Sequence, residues 1–124
     1  MFSALSTWRT ARRDLSVILV RGNHDKRAGD PPENLSIVCE DAPYFIDPFV
    51  LAHHPAASDN GYVLAGHVHP GVYIHHGGRV PCFTFGKDCG ILPAFGDFTG
   101  LAPIEPSEGD RVFAVADDGV WKVY

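Results

Sequence analysis

Five of the seven histidines of this chain fall in three short motifs, each placed after an apolar run. The motifs are "GNHD" at residues 22–25, "AHHP" at 52–55 and "GHVH" at 66–69. Imidazoles bind divalent metals and donate protons, so repeated delivery of this side chain to the ends of strands indicates a reactive site. Sites in α/β proteins collect at such strand ends, and the three motifs are therefore expected to converge.

The spacing of His67 and His69 predicts two metal ions rather than one. In an extended segment residues i and i+2 point to the same side, with Cα atoms roughly 6.5 Å apart. That separation is too wide for both imidazoles to coordinate one ion easily, because Zn–N distances are about 2.0–2.1 Å. It suits two ions about 3.5–4 Å apart, each taking one imidazole. Gly66 is expected to let the backbone turn sharply and leave the ions unobstructed.

The other two motifs supply complementary groups. Asn23 offers a neutral carbonyl oxygen as a hard ligand, and His24 offers a proton donor or a cation to a phosphoryl oxygen. Asp25 is expected to cap the following turn or to orient His24. The strand "FVLA" delivers His53 to the same edge, and His54 is expected to support a neighbouring ligand through a hydrogen bond.

The elements that position these motifs follow from local patterns. A helix is predicted over residues 2–14, with Leu5 and Trp8 on one face and Arg9, Arg12 and Arg13 on the other. "LSVILVRG" predicts a buried strand, because it is a short, mostly β-branched apolar run. "DKRAGDPPENL" and "DCGILPAFGDFTG" predict loops. Further strands are predicted in "LSIVCE", in "PYFIDPFVLAHHP" and in the run after Asn60-Gly61, and Pro48 is expected to mark an edge, a bulge or a turn. Two hairpins are predicted, one about Gly77-Gly78 and one about Asp118-Gly119.

Composition bounds the class of protein. The 124 residues predict a single α/β domain, mainly β, spanning 1–124, and a net charge of −5 argues against a broad basic surface for nucleic acid or membrane. The basic run "WRTARR" at 8–13 is expected to be a solvated helix face. Three cysteines cannot all pair, so reduced thiols are expected. No apolar leader or membrane-length run is present, which predicts a cytoplasmic protein without a membrane partner.

The three motifs, in this order, resemble those of the calcineurin-like metallophosphoesterases. Downstream, "GHVHPGV", "PCF" and "ILPAFGDFTG" are similar to the DNA-ligase-associated subfamily, described as a DNA-damage-response phosphoesterase or endonuclease. The resemblance covers most of the chain from about Leu19 onward. It implies a four-layer β-sandwich flanked by helices and two divalent ions (Mn, Zn or Fe). It also implies hydrolysis of a phosphoester substrate, with nucleic acid as one candidate, and association with a DNA ligase or helicase.

The resemblance also implies a role for each motif residue. Asn23, His53 and His67 would bind one metal, and His69 would help to bind the other. His24 would contact the scissile phosphate and protonate or stabilise the leaving group. The family's H-x-P pattern favours His53 over His54 as the ligand, and the residues alone leave that choice open.

The family's Asp-x-His and Gly-Asp motifs have no counterpart before Gly22. The resemblance therefore implies an N-terminally truncated sandwich that lacks its first strands and three metal ligands. The retained ligands are all neutral, which predicts at most one well-held metal and weak or absent turnover. The alternative is a non-catalytic remnant of the same fold that binds one ion or a partner protein.

Overall fold

The computed structural model describes residues 2–75, 78–96 and 99–124. The chain divides into two compact units, one up to Ala42 and one from Pro43 to Tyr124. It is mainly β with few helices and mixed sheets, so the predicted α/β, mainly β class is confirmed. Within the described residues no helix is long and apolar enough to cross a membrane. Whether the two units make up one domain stays a prediction.

The first unit is a β–α–β arrangement preceded by a helix. Its two strands pair in parallel, with Val17 opposite Ile37 and Val20 opposite Glu40. The predicted loop between them contains one short helix and one 3-10 turn. The elements are α1 (Phe2–Thr10), β1 (Val17–Val20), α2 (Asp25–Ala28), the 3-10 turn (Glu33–Leu35) and β2 (Ile37–Glu40).

Arg9 corrects the predicted helix face. The side chain is 7% exposed rather than solvated. Its Nε donates a hydrogen bond to the Leu35 carbonyl at 2.7 Å, and Nη2 donates to the Ser36 carbonyl at 3.3 Å. Ser36 has a left-handed backbone (φ 50°) that ends the 3-10 turn. The guanidinium is buried because these carbonyls, rather than water, accept its hydrogen bonds.

The strand β1 is less buried than its apolar run predicts. Ile18 is 39% exposed, and Val38, its partner on β2, is 55% exposed. A continuous apolar run predicts cover on both faces of the sheet. In this chain one face of the β1–β2 pair carries exposed apolar side chains, so the prediction of a fully buried strand is wrong.

The second unit is built almost entirely of strands. Tyr62 follows the predicted Asn60-Gly61 turn, and the predicted final hairpin turns immediately before Gly119. The predicted Gly77-Gly78 hairpin is present as an antiparallel pair of strands, although Gly77 lies outside the described residues. The strands are β3 (Tyr44–Ile46), β4 (Phe49–Ala52), β5 (Tyr62–Ala65), β6 (Pro70–Ile74), β7 (Gly78–Phe85), β8 (Cys89–Ile91), β9 (Ala102–Pro103), β10 (Arg111–Ala116) and β11 (Gly119–Lys122).

These strands form a mixed sheet in the order β11-β10-β7-β8-β5-β4-β3, while β6 pairs with β7 and β9. β4, β5 and β8 run parallel to one another. Val50, Val63 and Ala65 form a buried cluster on β4 and β5. This buried parallel centre fixes the strand ends from which the histidine motifs emerge.

One glycine is required to bring β3, β4 and β5 together. A Cβ atom on Gly61 would lie 2.4 Å from the carbonyl oxygen of Pro48, and the Gly61 φ is +150°. Pro48 stands between β3 and β4. Of the edge, bulge or turn predicted for this proline, the structure therefore shows a turn. The Pro48 carbonyl accepts a hydrogen bond from the Tyr62 amide at 3.1 Å, so the start of β5 is tied directly to that turn.

The three cysteines, Cys39, Cys82 and Cys89, are free thiols, as predicted. Cys82 is fully buried in β7, and burial raises the pKa of its thiol. A buried neutral thiol behaves as a small apolar side chain, so the cysteines contribute packing rather than cross-links.

Candidate metal centre

Two parallel strands deliver three histidines to one edge of the sheet. β4 ends at Ala52 and β5 ends at Ala65, and these two residues are paired in register. His53 and His54 follow β4 directly, and His67 follows β5 after one intervening residue. Because parallel strands end at the same edge, the side chains that follow them can meet there, as the sequence predicts.

The three imidazoles form a compact group. Their possible ligand atoms all lie within 4.8 Å of one another. His67 Nδ1 is 3.0 Å from His53 Nε2, and the ring centroids of His54 and His67 are 4.2 Å apart. His53 is half-buried, whereas His54 and His67 are exposed. Among the described residues this is the one group of three or more His, Cys, Asp or Glu close enough to hold an ion.

The group fits a divalent metal. Nitrogen ligands of a tetrahedral ion lie roughly 3.3–3.4 Å apart when each metal–nitrogen distance is about 2.0–2.1 Å. The 3.0 Å contact lies just below that value and the 4.8 Å limit lies above it, so the separations are of the size that a metal site requires. The 3.0 Å contact between His53 and His67 requires one nitrogen to accept a hydrogen bond. For both nitrogens to bind one ion, the donor must give up this proton, so that each ring presents a lone pair to the metal.

The backbone of the "GHVH" motif is not extended, which corrects the sequence-based expectation. β5 ends at Ala65 and β6 begins at Pro70, and between them His67 and His69 have φ values of 65° and 54°. Gly66 has no left-handed backbone, and a Cβ atom there would meet nothing within 4 Å. The sharp turns therefore occur at the histidines themselves. Non-glycine residues in this conformation carry strain and cluster at functional sites.

His69 lies outside the three-histidine group. Its carbonyl accepts a hydrogen bond from the Ala102 amide at 2.8 Å, which ties the motif to β9. With both histidines in left-handed conformations, the argument that i and i+2 face one side in an extended segment no longer applies. A role for His69 at a second metal stays a prediction.

His54 lies in the same group as His53 and His67. It was expected to support a ligand, and one of its ring nitrogens is among the possible ligand atoms of this group. No local sequence signal indicates this position, because it depends on the register of β4 with β5. Extending the Ala52–Ala65 pairing by two residues sets His54 opposite His67. The choice between His53 and His54 as ligand remains open.

The "GNHD" motif occupies the carboxyl end of β1 in the first unit. The Gly22 amide donates a hydrogen bond to Asp25 Oδ2 at 2.7 Å, so the carboxylate braces this turn. His24 is exposed at the start of α2, and Asn23 is half-buried. Asn23 and His24 therefore belong to the first unit, whereas the histidine group belongs to the second.

A charged pair holds the loop behind this motif. Arg21 Nε and Nη2 each donate to one carboxylate oxygen of Asp30 at 2.7 Å, and Nη1 lies 3.4 Å from Asp41 Oδ1. The hydrogen bonds from Arg21 lower the pKa of Asp30, and the same contact raises the pKa of Arg21. The pair fixes the residue immediately before Gly22 and so helps to position the turn.

Comparison with solved structures finds a likeness to a known nuclease. No family model matches the chain, and no curated protein matches it. A solved structure, the nuclease MPE of Pseudomonas putida, superposes with a TM-score of 0.84 at 40% sequence identity. The match covers 98% of this chain and 61% of that chain, so this chain spans less than two thirds of the nuclease's length. The likeness is consistent with a metallophosphoesterase-type nuclease fold.

Proposed function

We propose that this chain is part of a metal-dependent phosphoester hydrolase of the nuclease type. The observation that carries the proposal is the group formed by His53, His54 and His67, whose ligand atoms lie within 4.8 Å of one another. The likeness to a nuclease at 40% identity supports a phosphodiester, with nucleic acid as one candidate substrate. The subfamily resemblance adds a proposed association with a DNA ligase or helicase.

The proposed ligand set follows the motifs. His53 and His67, with His54 as the alternative to His53, would hold one divalent ion. The motif resemblance alone assigns Asn23 to that ion and His69 to a second. Zn and Fe suit imidazole donors, and Mn suits the carbonyl oxygen of Asn23 and water. When bound, such ions polarise the phosphoryl oxygens and lower the pKa of water. Every assigned ligand is neutral, so the ions would remain strongly electrophilic.

His24 would act on the substrate rather than on a metal. Hydrolysis forms a bond between a water oxygen and phosphorus and breaks the bond between phosphorus and the ester oxygen. A protonated His24 ring nitrogen would donate its proton to that departing oxygen, or stabilise its charge. The exposed position of His24 at the start of α2 leaves its ring accessible to a large substrate. Asp25 would keep the turn in place through the Gly22 amide.

Paired substitutions test the proposal. The metal-depleted chain is loaded with Mn²⁺ or Zn²⁺, bound metal is measured by mass spectrometry, and hydrolysis of bis-p-nitrophenyl phosphate is followed. His67→Ala should weaken metal binding more than tenfold, because removing even a group that only supports a ligand costs about 10–100-fold. His24→Ala should keep the metal and lower turnover by about 10²–10⁴-fold. His75→Ala, an exposed histidine outside the group, is the matched control and should change neither.

Three outcomes would contradict the proposal or one of its assignments. Unchanged metal binding in His67→Ala would show that the histidine group is not the metal site. A wild-type chain that binds no metal would favour the alternative, a non-catalytic relative of the same fold. Loss of metal in His24→Ala would move His24 from the substrate to the ligand set.

A further inference from the structure

The hairpin of β6 and β7 presents an aromatic side chain to solvent in a fixed orientation. Tyr73 on β6 is 70% exposed and stands opposite Arg79 on β7. The guanidinium carbon of Arg79 lies 4.8 Å from the centroid of the Tyr73 ring. Arg79 Nη2 also donates a hydrogen bond to Tyr73 Oη at 3.1 Å. An exposed ring held by both a cation and a hydrogen bond has lost much of its freedom before any ligand arrives.

Arg79 is itself anchored by the surrounding backbone. Its Nη1 donates to the Leu101 carbonyl at 2.9 Å. A Cβ atom on Gly71 would lie 3.0 Å from Arg79 Cγ and Cδ and 2.7 Å from Leu101 Cβ, so glycine is needed for the arginine to lie across the strand. Arg79 Nε is buried and has no hydrogen-bond acceptor among the described residues. The arginine gives up one hydrogen bond in an arrangement that supports the tyrosine ring.

We propose that Tyr73 is a stacking platform for an unpaired base of a single-stranded nucleic acid. This inference rests on the proposed function and names the substrate group that one residue would recognise. Bases splayed out of a single strand stack on aromatic side chains, whereas a base inside a duplex has both faces covered by its neighbours. Because every base has a π-face, such a platform is tolerant of sequence.

The position of Tyr73 along β6 suits this role. β6 begins directly after His69, and Tyr73 is four residues further on, which is a distance of about 13 Å along a strand. A nucleic-acid strand advances about 3.4 Å per base in a duplex, so a few nucleotides cover that distance. The charge of Arg79 beside the ring is also favourable for a polyanion. A strand whose base stacks on Tyr73 can therefore extend to the "GHVH" motif on the same unit.

Binding in the absence of turnover tests the platform. The metal-free chain, kept in EDTA, is titrated against a fluorescently labelled oligothymidylate of about 12 nucleotides, within the usual 4–16-nucleotide range of single-strand sites. A second strand of the same length has abasic residues throughout. Tyr73→Ala should weaken binding of the oligothymidylate by about 5–100-fold, the range expected for one lost stacking contact, and should not change binding of the abasic strand. Tyr73→Phe should retain most of the affinity, because the ring remains.

Tyr124→Ala is the matched control. Tyr124 is also about half exposed (51%), and within the described part of the chain its ring has no cation over it. Its substitution should leave the affinity unchanged. A thermal transition recorded for each variant shows whether the second unit remains folded.

Three results would overturn the platform. These are equal losses on intact and abasic strands, an unchanged affinity in Tyr73→Ala, and a Tyr73→Phe variant as weak as Tyr73→Ala. Hydrolysis of bis-p-nitrophenyl phosphate tests the proposed function without testing the platform, because this diester is too small to span from the "GHVH" motif to Tyr73. Turnover of that diester with no Tyr73 effect on strand binding would reject the platform alone.

Discussion

Replacing His67 with glycine should give a more stable metal-free chain than replacing it with alanine. His67 has a φ of 65°, one of three left-handed non-glycine residues in the described chain. Alanine at this position keeps the steric conflict between Cβ and the backbone, whereas glycine removes it. Both variants lose the imidazole and its 3.0 Å contact with His53, so that loss cancels in the comparison.

The expected difference follows from two opposing terms. The left-handed conformation costs an L-residue about 1–2 kcal/mol. Glycine costs about 0.5–1 kcal/mol relative to alanine through the entropy of the unfolded chain. Taking the middle of each range, the net advantage of glycine over alanine at His67 is about 0.75 kcal/mol. For a chain of this size, such a difference raises the melting temperature by about 2–5 °C.

The assay is thermal unfolding in EDTA, followed by circular dichroism. His54 is the matched control, because it belongs to the same histidine group and is not among the residues of positive φ. At His54 the order should reverse, with glycine less stable than alanine by about 0.5–1 kcal/mol. Glycine less stable than alanine at both positions would refute the argument that the backbone at His67 is strained. Both His67 variants should still lose metal, which would show that the strain is retained for the imidazole.

Two further predictions concern the frame around the site. Gly61→Ala should unfold or severely destabilise the second unit, because its Cβ would lie 2.4 Å from the Pro48 carbonyl oxygen. Gly66→Ala should fold normally, because nothing lies within 4 Å of a Cβ atom there. The thermal transitions of the two variants check this prediction. Arg21→Gln should raise the pKa of Asp30 toward its ordinary value, as measured by carboxyl NMR. Because that pKa is lowered in the folded chain, the Arg21–Asp30 pair stabilises the wild type above the ordinary pKa of Asp, and this contribution disappears as the pH falls. The difference in stability between the wild type and Arg21→Gln should therefore be present above that pKa and vanish at lower pH. An unchanged Asp30 pKa would show that the Arg21 contact is absent in solution.

The sequence was sufficient for the elements that carry the site. The apolar runs before "AHHP" and "GHVH" correctly predicted β4 and β5, and the turn signals correctly placed the last two strands. Such segments are predictable because strand formation and turn formation depend on residues close together in the sequence. The pairing of β4 with β5, which sets which histidines meet, depends on contacts between strands, and the local pattern does not contain it.

Other features failed for physical reasons that can be named. Arg9 was assigned to a solvated face because arginine is rarely buried, yet the carbonyls of Leu35 and Ser36 satisfy its hydrogen bonds. The turn in "GHVH" was assigned to Gly66 because glycine most readily adopts left-handed conformations. The structure places those conformations at His67 and His69 instead. Propensity thus failed at the residues where function is proposed, which is where local preferences are expected to be overridden.

The register of one strand pair determines which imidazoles meet. Ala52 is paired with Ala65, and the Gly66 amide donates a hydrogen bond to the His53 carbonyl at 3.2 Å, so the pairing continues past the end of both strands. A slip of one residue would change which side chains stand opposite each other and would turn alternate residues to the other face. The buried side chains Val50 and Val63 oppose such a slip, because they would have to leave the core. The packing of two apolar residues on the strands therefore helps to set which imidazoles stand together in a site that lies beyond the strands.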